Sequence, residues 1–168
     1  MSDPAVIRIL VVCLGNICRS PMAHGVLQQK LDEAGLSDRV VVDSAGTGDY
    51  HIGSMPDRRA CEAAAGRGYD LSTLRARQVQ PVDLVRFDLI LAADSENFAD
   101  LVALAPGPAE RSKVRYLLDF ANSREQEVPD PYEEEARAFS RVLDLVEEAA
   151  DGLVEALRSG EWSANASA

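Results

Sequence analysis

Of the 168 residues, only three are cysteine, far too few for a disulfide framework. Their number points instead to a reducing, cytoplasmic setting in which a thiol does chemistry or senses redox state. Positive charge is also in short supply. Seventeen Lys and Arg face 28 Asp and Glu, for a net charge of −11. Such a balance argues against nucleic acid or an anionic membrane as the main partner. No apolar run approaches the roughly 20 residues of a membrane-spanning helix. The opening Met1-Ser2-Asp3-Pro4 has no basic segment of the kind that begins a secretory signal, although export without a signal stays open. A glycine-rich loop ending in Gly-Lys-Ser/Thr is missing, as is a Gly-x-Gly-x-x-Gly fingerprint, so neither mononucleotide nor dinucleotide binding is indicated. There is no internal repeat.

What is present begins with an apolar, β-branched run, Ile7-Arg8-Ile9-Leu10-Val11-Val12, which reads as a buried strand over about 6–12. Cys13-Leu14-Gly15-Asn16-Ile17-Cys18-Arg19 follows, and then Ser20-Pro21 reads as a helix start, with Ser as N-cap and Pro at the first helical position. The intervening loop therefore ends at a helix N-terminus, where free N–H groups and the helix dipole favour an anion. Gly15-Asn16 supplies residues that tolerate left-handed backbone. Arg19 adds a cation with a fork of donors suited to phosphate oxygens. Cys13 faces the same cradle, whose donors would stabilise its thiolate, the reactive form. One short segment thus combines a phosphate site with a nucleophile.

Apolar runs alternate with helical patterns along the rest of the chain, predicting βαβ units in an α/β fold: a central parallel sheet with helices on both faces. A helix over 20–34 would bury Ala23, Val26, Leu27, Leu31 and Ala34, with Gly35 as its stop. Strands are expected at 40–44, 87–92 and 113–118, and an Ala-rich helix carrying Cys61 at 56–67. Asp94-Ser95 would cap a helix running to about Leu104. Ala105-Pro106-Gly107-Pro108 reads as a breaker. The last helix shows a 3.6-residue stripe of Phe139, Val142, Leu143, Val146, Leu153, Val154 and Leu157, and Gly152 inside it suggests close packing. The expected unit is a single domain over 5–160, with short flexible tails at 1–4 and 161–168.

A phosphate ester also needs an acid to protonate its leaving oxygen. Asp130, in Val128-Pro129-Asp130-Pro131-Tyr132, is the best candidate, because two prolines stiffen the backbone that must hold it. A bound phosphate would keep it protonated while Cys13 is a thiolate. The same residues could merely start a turn. Asp94 is the rival acid, better suited to a cap or to a structural role beside the site.

These motifs together resemble the low-molecular-weight protein tyrosine phosphatase family. The loop from Cys13 to Pro21 matches its signature. Asp43-Ser44-Ala45-Gly46-Thr47, Asp57-Arg58-Arg59-Ala60, Leu74-Arg75-Ala76-Arg77-Gln78, Ala93-Asp94-Ser95-Glu96-Asn97 and Pro129-Asp130-Pro131-Tyr132 follow in the family's order across roughly residues 6–158. The resemblance implies a three-layer sandwich with a four-stranded parallel sheet in the order 2-1-3-4. It implies hydrolysis of phosphotyrosine in proteins through a phosphocysteine on Cys13, with Asp130 as acid and then base. Arg19 and the N–H groups of Leu14, Gly15, Asn16, Ile17 and Cys18 would hold the phosphate. Asn16 would fix the loop with Ser44 as its partner, and Ser20 would donate to the Cys13 sulfur. Tyr50 and Tyr132 would line the substrate slot with Ile17, which phosphotyrosine-specific members carry where phosphoarginine-specific relatives carry Thr. Cys18 would protect the nucleophile from oxidation as a disulfide. The expected protein is a monomer with no cofactor and no metal, releasing inorganic phosphate. Three positions depart from the family. Leu74 replaces a supporting histidine, Ala93 replaces a usual Met, and Glu133 stands where many members have a second Tyr. An arsenate reductase of this fold, an arginine phosphatase and a binding-only module are the alternatives.

Overall fold

A computed structural model describes residues 6–162. Its centre is β1 (Ile7–Cys13), which pairs in parallel with β2 (Val40–Gly46) on one side and with β3 (Leu89–Ala92) on the other. β4 (Val114–Tyr116) adds to β3, giving the parallel order β2-β1-β3-β4. Both the sheet and its order match the expected architecture. β1 is buried on both faces because helices cover both, which is why it reads as a continuous apolar run. Ile9, Val11 and Cys13 project to one side, where they meet Met22, Val26, Leu27 and Leu31 of α1 (Arg19–Glu33) and the stripe of α6 (Ala136–Ser159). Ala60 and Ala64 of α2 (Arg58–Ala65) join the same core. Leu10 and Val12 point the other way, toward Leu84 of α3 (Pro81–Arg86) and Leu101 of α4 (Ser95–Leu104). The carboxyl end of β1 therefore opens where parallel sheets place their ligands.

Several expected boundaries shift. α1 begins one residue early, with Cys18 at the N-cap position and no side-chain cap. Ser20 is thus not the cap: its hydroxyl is drawn into the interior by tertiary partners described below. Pro21 is the third helical residue. It costs nothing there, because the first intrahelical donor is the Met22 N–H, which reaches the Cys18 carbonyl at 3.1 Å. β3 starts at Leu89 rather than 87, since Phe87 closes α3. α2 starts after an Asp57 cap that accepts from the Arg59 N–H at 2.8 Å. The expected breaker at 105–108 is followed at once by a one-turn helix, α5 (Pro108–Arg111), with Pro108 in its first turn. β4 is short because the chain turns into a 3-10 segment, Leu117–Phe120. Of the expected tail at 161–168, only Glu161 and Trp162 lie among the described residues. Trp162 packs on the core and its N–H reaches the Ala156 carbonyl at 3.1 Å. Residues 1–5 and 163–168 lie outside the described residues. Among those described, no helix is long and apolar enough to cross a membrane.

The close packing expected at Gly152 is real. A Cβ there would stand 1.8 Å from the Phe120 carbonyl oxygen. The contact is backbone, so no side chain can swing away. Gly152→Ala gains roughly 1 kcal/mol of helix propensity but forces α6 off the 3-10 segment. The expected net loss is about 2 kcal/mol, seen as a fall of roughly 4–8 °C in Tm. An unchanged or raised Tm on thermal unfolding would contradict this packing.

Candidate active site

The loop after β1 is held from three directions. Asn16 takes left-handed backbone at φ 57°, which only a few non-glycine residues tolerate. Its side chain explains why it stays there. Oδ1 accepts from the Arg77 N–H at 3.0 Å and Nδ2 donates to Ser20 Oγ at 2.7 Å. Gly46 lets the loop lie against β2, since a Cβ there would approach the Leu14 carbonyl oxygen to 2.7 Å. Thr47 and Gly48 then donate their N–H groups to the carbonyls of Cys13 and Leu14, both at 2.9 Å. Among the described residues, the N–H groups of Gly15, Asn16, Ile17 and Cys18 find no protein acceptor. They are donors without partners at a helix start, the arrangement that receives an anion.

Ser44 does not partner Asn16. Both ends of the Asn16 amide are already used, and Ser44 Oγ lies 3.0 Å from His24 Nδ1 instead. His24 stands four residues after Ser20, on the same face of α1, so it reaches β2 just behind the loop. Burial lowers the His24 pKa against the opposing pull of Asp43, which favours the neutral ring. Neither His24 nor Arg77 was given a role from sequence. Arg77 anchors the loop through its backbone while its guanidinium spans Asp83 at 3.0 and 3.2 Å and Asp43 at 3.1 Å.

Cys13 Sγ and Ser20 Oγ are 3.1 Å apart and buried. Ser20 already accepts from Asn16, and its other nearby acceptor, the Ala45 carbonyl, is at 3.5 Å. Its hydroxyl proton is therefore best spent on the sulfur. Arg19 is only 4% exposed. One of its terminal nitrogens donates to Asp94 Oδ2 at 2.7 Å and to the Val128 carbonyl at 2.9 Å. The second stands 3.8 Å from Asp130 Oδ2. Burial works against the Arg19 charge, but Cys13, Asp94 and Asp130 outweigh it and hold the group cationic. Asp94 has both oxygens engaged, one with Arg19 and the other capping α4 through the Asn97 N–H at 2.8 Å. That leaves Asp130 as the carboxyl at the rim, its Oδ1 accepting from the Tyr132 N–H at 3.1 Å.

Cys13, Leu14, Gly15, Ile17, Cys18, Arg19, Tyr50, Asp130 and Tyr132 line one pocket, together with His51, which the sequence did not single out. Tyr50 is 70% exposed and Tyr132 45%, so both stand at the mouth rather than in the core. The Cys18 thiol is buried beside Cys13. Burial, with Asp57, Cys13 and Asp130, pushes its pKa well above the usual thiol range, so it stays protonated. Cys61 is only half-buried and faces the Pro56 carbonyl at 3.7 Å, outside this pocket. Among the described residues no cluster of His, Cys, Asp and Glu could hold a metal ion.

The sequence model of the low molecular weight phosphotyrosine protein phosphatases matches residues 8–161. The chain belongs to that family. It is 40% identical over 154 residues to a low molecular weight protein-tyrosine-phosphatase of Streptomyces coelicolor, covering 90% of this chain and 93% of that one. The crystal structure of a protein tyrosine phosphatase from Entamoeba histolytica with Hepes in its active site superposes with a TM-score of 0.89 at 36% identity, covering 93% and 99% of the two chains. YfkJ of Bacillus subtilis gives a TM-score of 0.88 at 34% identity, covering 96% and 100%.

In this phosphatase the departures noted from sequence lie outside the pocket that holds Cys13 and Arg19. Leu74 packs on the main core. Ala93 works through its backbone, with its N–H on the Val12 carbonyl at 3.0 Å and its carbonyl taking the Val128 N–H at 2.8 Å. Glu133 is exposed.

Proposed function

We propose that this phosphatase hydrolyses phosphotyrosine in proteins by two in-line displacements at phosphorus. Cys13 Sγ forms the S–P bond as the P–O bond to the phenol breaks, and Asp130 gives its proton to the departing oxygen. Water then attacks phosphorus, Asp130 takes a proton from it, and the S–P bond breaks to release inorganic phosphate and the thiolate. The equatorial oxygens carry the charge throughout, so the donors aimed at them lower the barrier. Those donors are the free loop N–H groups together with Nε and the second terminal nitrogen of Arg19. Ser20 stabilises the sulfur as a leaving group in the second step. The observation that carries this mechanism is the single pocket shared by Cys13, Arg19 and Asp130, with the Arg19 inner nitrogen fully committed to Asp94 and Val128.

The mouth supports an aromatic ester. Tyr50 and Tyr132 give the pocket aromatic surface at its exposed side, while Cys13, which lines the same pocket, is buried. Ile17 adds an apolar wall. A short phosphoserine side chain would have to bring its peptide backbone into that slot.

The test is phosphate release from matched phosphotyrosine, phosphoarginine and phosphoserine peptides. The phosphotyrosine peptide is expected to turn over fastest, and Asp130→Asn is expected to slow it by about 10²–10³-fold. Phosphoarginine turnover equal to or above that of phosphotyrosine would overturn the substrate assignment. An Asp130→Asn enzyme within about threefold of wild type would overturn the acid.

A further inference from the structure

Asp130 is a rim residue on a segment that contains two prolines and is rich in carboxylates, so something must hold it at a set height above Cys13. On its N-terminal side the anchors are plain. Val128 gives its N–H to Ala93 at 2.8 Å and receives Arg19 on its carbonyl. Glu127 accepts from both the N–H and the hydroxyl of Ser95 at 2.8 and 2.9 Å. Downstream the backbone offers little, because Pro131 has no N–H to donate. The anchor there comes from α2. Arg59 donates to the Tyr132 carbonyl at 2.6 Å and to the Glu134 carbonyl at 3.1 Å. Its guanidinium lies 4.7 Å from the centre of the Phe139 ring and 5.8 Å from that of Tyr132.

Arg59 is itself oriented. Asp57 accepts from its Nε and from a terminal nitrogen, each at 3.1 Å. The Asp57 N–H in turn donates to the Ile17 carbonyl at 2.8 Å. A chain of contacts therefore runs from the phosphate-binding loop at Ile17, through Asp57 and Arg59, to the carbonyl of Tyr132. The N–H of the same residue, Tyr132, holds Asp130 Oδ1. Arg59 does not line the pocket. It also brings positive charge to a segment where Glu133, Glu134 and Glu135 follow Asp130 and repel one another.

We propose that Asp57 and Arg59 form a strut that fixes the distance between the nucleophile loop and the general acid, making Arg59 a positioning residue for proton delivery. The proposal rests on Asp130 being that acid. A misplaced acid harms only the substrates that need it, so leaving-group dependence separates this role from a structural one.

The experiment compares kcat/KM for phenyl phosphate, a poor leaving group, with 2,4-dinitrophenyl phosphate, a good one, in wild type, Arg59→Gln, Arg59→Lys, Asp130→Asn and the double variant Arg59→Gln/Asp130→Asn. Arg59→Gln is expected to lose about 10- to 100-fold on phenyl phosphate and under about threefold on the dinitrophenyl ester. Inhibition by inorganic phosphate should not change, because Arg19 and the loop amides are intact. In the double variant the Arg59 change should add nothing, since the group it positions is gone. Arg59→Lys keeps the charge and the bond to Asp57 but cannot reach two carbonyls, so it should show the same substrate pattern at smaller amplitude even if Arg59→Gln folds poorly. Equal losses on both esters, or a full additional loss in the double variant, would overturn the strut. An Asp130→Asn enzyme that does not distinguish the two esters would overturn the acid assignment, and the strut with it.

Discussion

Cys13→Ser is expected to abolish phosphotyrosine turnover, by on the order of 10⁴-fold or more, while inorganic phosphate still binds within a few-fold of wild type. The sulfur and a hydroxyl would occupy the same buried point beside Ser20. They differ in what attacks. A thiol becomes an anion easily in a cradle of donors, whereas a serine hydroxyl needs a base to take its proton as it attacks. No base is at hand. The chain has two histidines. His24 is engaged with Ser44 behind the loop, and His51 stands at the mouth. Asp130 must carry a proton in this step if it is to give one to the phenol. Phosphate affinity should survive because Arg19 and the loop amides are untouched. Steady-state phosphate release and competitive inhibition by phosphate measure the two halves. A serine enzyme within about tenfold of wild type would remove Cys13 from the mechanism.

Arg19→Lys should cost about 10³-fold in kcat/KM although the charge is kept. The reason lies in how the fork is divided. Both hydrogens of one terminal nitrogen go to Asp94 and the Val128 carbonyl. In the proposed mechanism the other nitrogen and Nε meet two phosphate oxygens, in the planar spacing that suits them. A lysine has a single nitrogen. Drawn to Asp94 it abandons the phosphate, and drawn to the phosphate it leaves Asp94 and Val128 unpaired. The loss should appear in both KM and kcat, because the equatorial oxygens are bound before and during the transfer. Thermal protection by added phosphate should shrink in parallel, since that protection reports differential binding to the folded state. A lysine variant within about tenfold of wild type would show that charge alone suffices.

The features that were legible in the sequence are those set by near neighbours. The β-branched run of β1, the helix stripe of α6 and the cap at Asp94 each depend on spacing within a few residues, and each stands where expected. Cys13 and Arg19 share one loop, so their common pocket was also legible. Ser20 misled because a serine before a proline is a strong local cap signal. Its hydroxyl instead found Cys13 and Asn16, and tertiary partners outweighed the cap. The same limit explains Ser44. Its pairing with His24 joins β2 to α1 across the core, and nothing in either segment announces it. Arg59 is the extreme case. It reaches the Tyr132 and Glu134 segment through backbone carbonyls, which every residue has, so the sequence carries no mark of the contact. Pro108 concealed α5 because proline both ends helices and begins them.

The central claim, a phosphoryl group carried on Cys13, is tested most directly by rapid acid quench. Asp130→Asn with 2,4-dinitrophenyl phosphate is the best enzyme and substrate, because bond cleavage needs no acid while the attacking water has lost its base. The quenched protein is digested and the peptide spanning Cys13 is examined by mass spectrometry. Phosphate on Cys13, formed with a burst of dinitrophenol and approaching one per enzyme, is the predicted result. Steady turnover with no burst and an unmodified Cys13 would mean that water attacks the ester directly, and the two-step mechanism would fall.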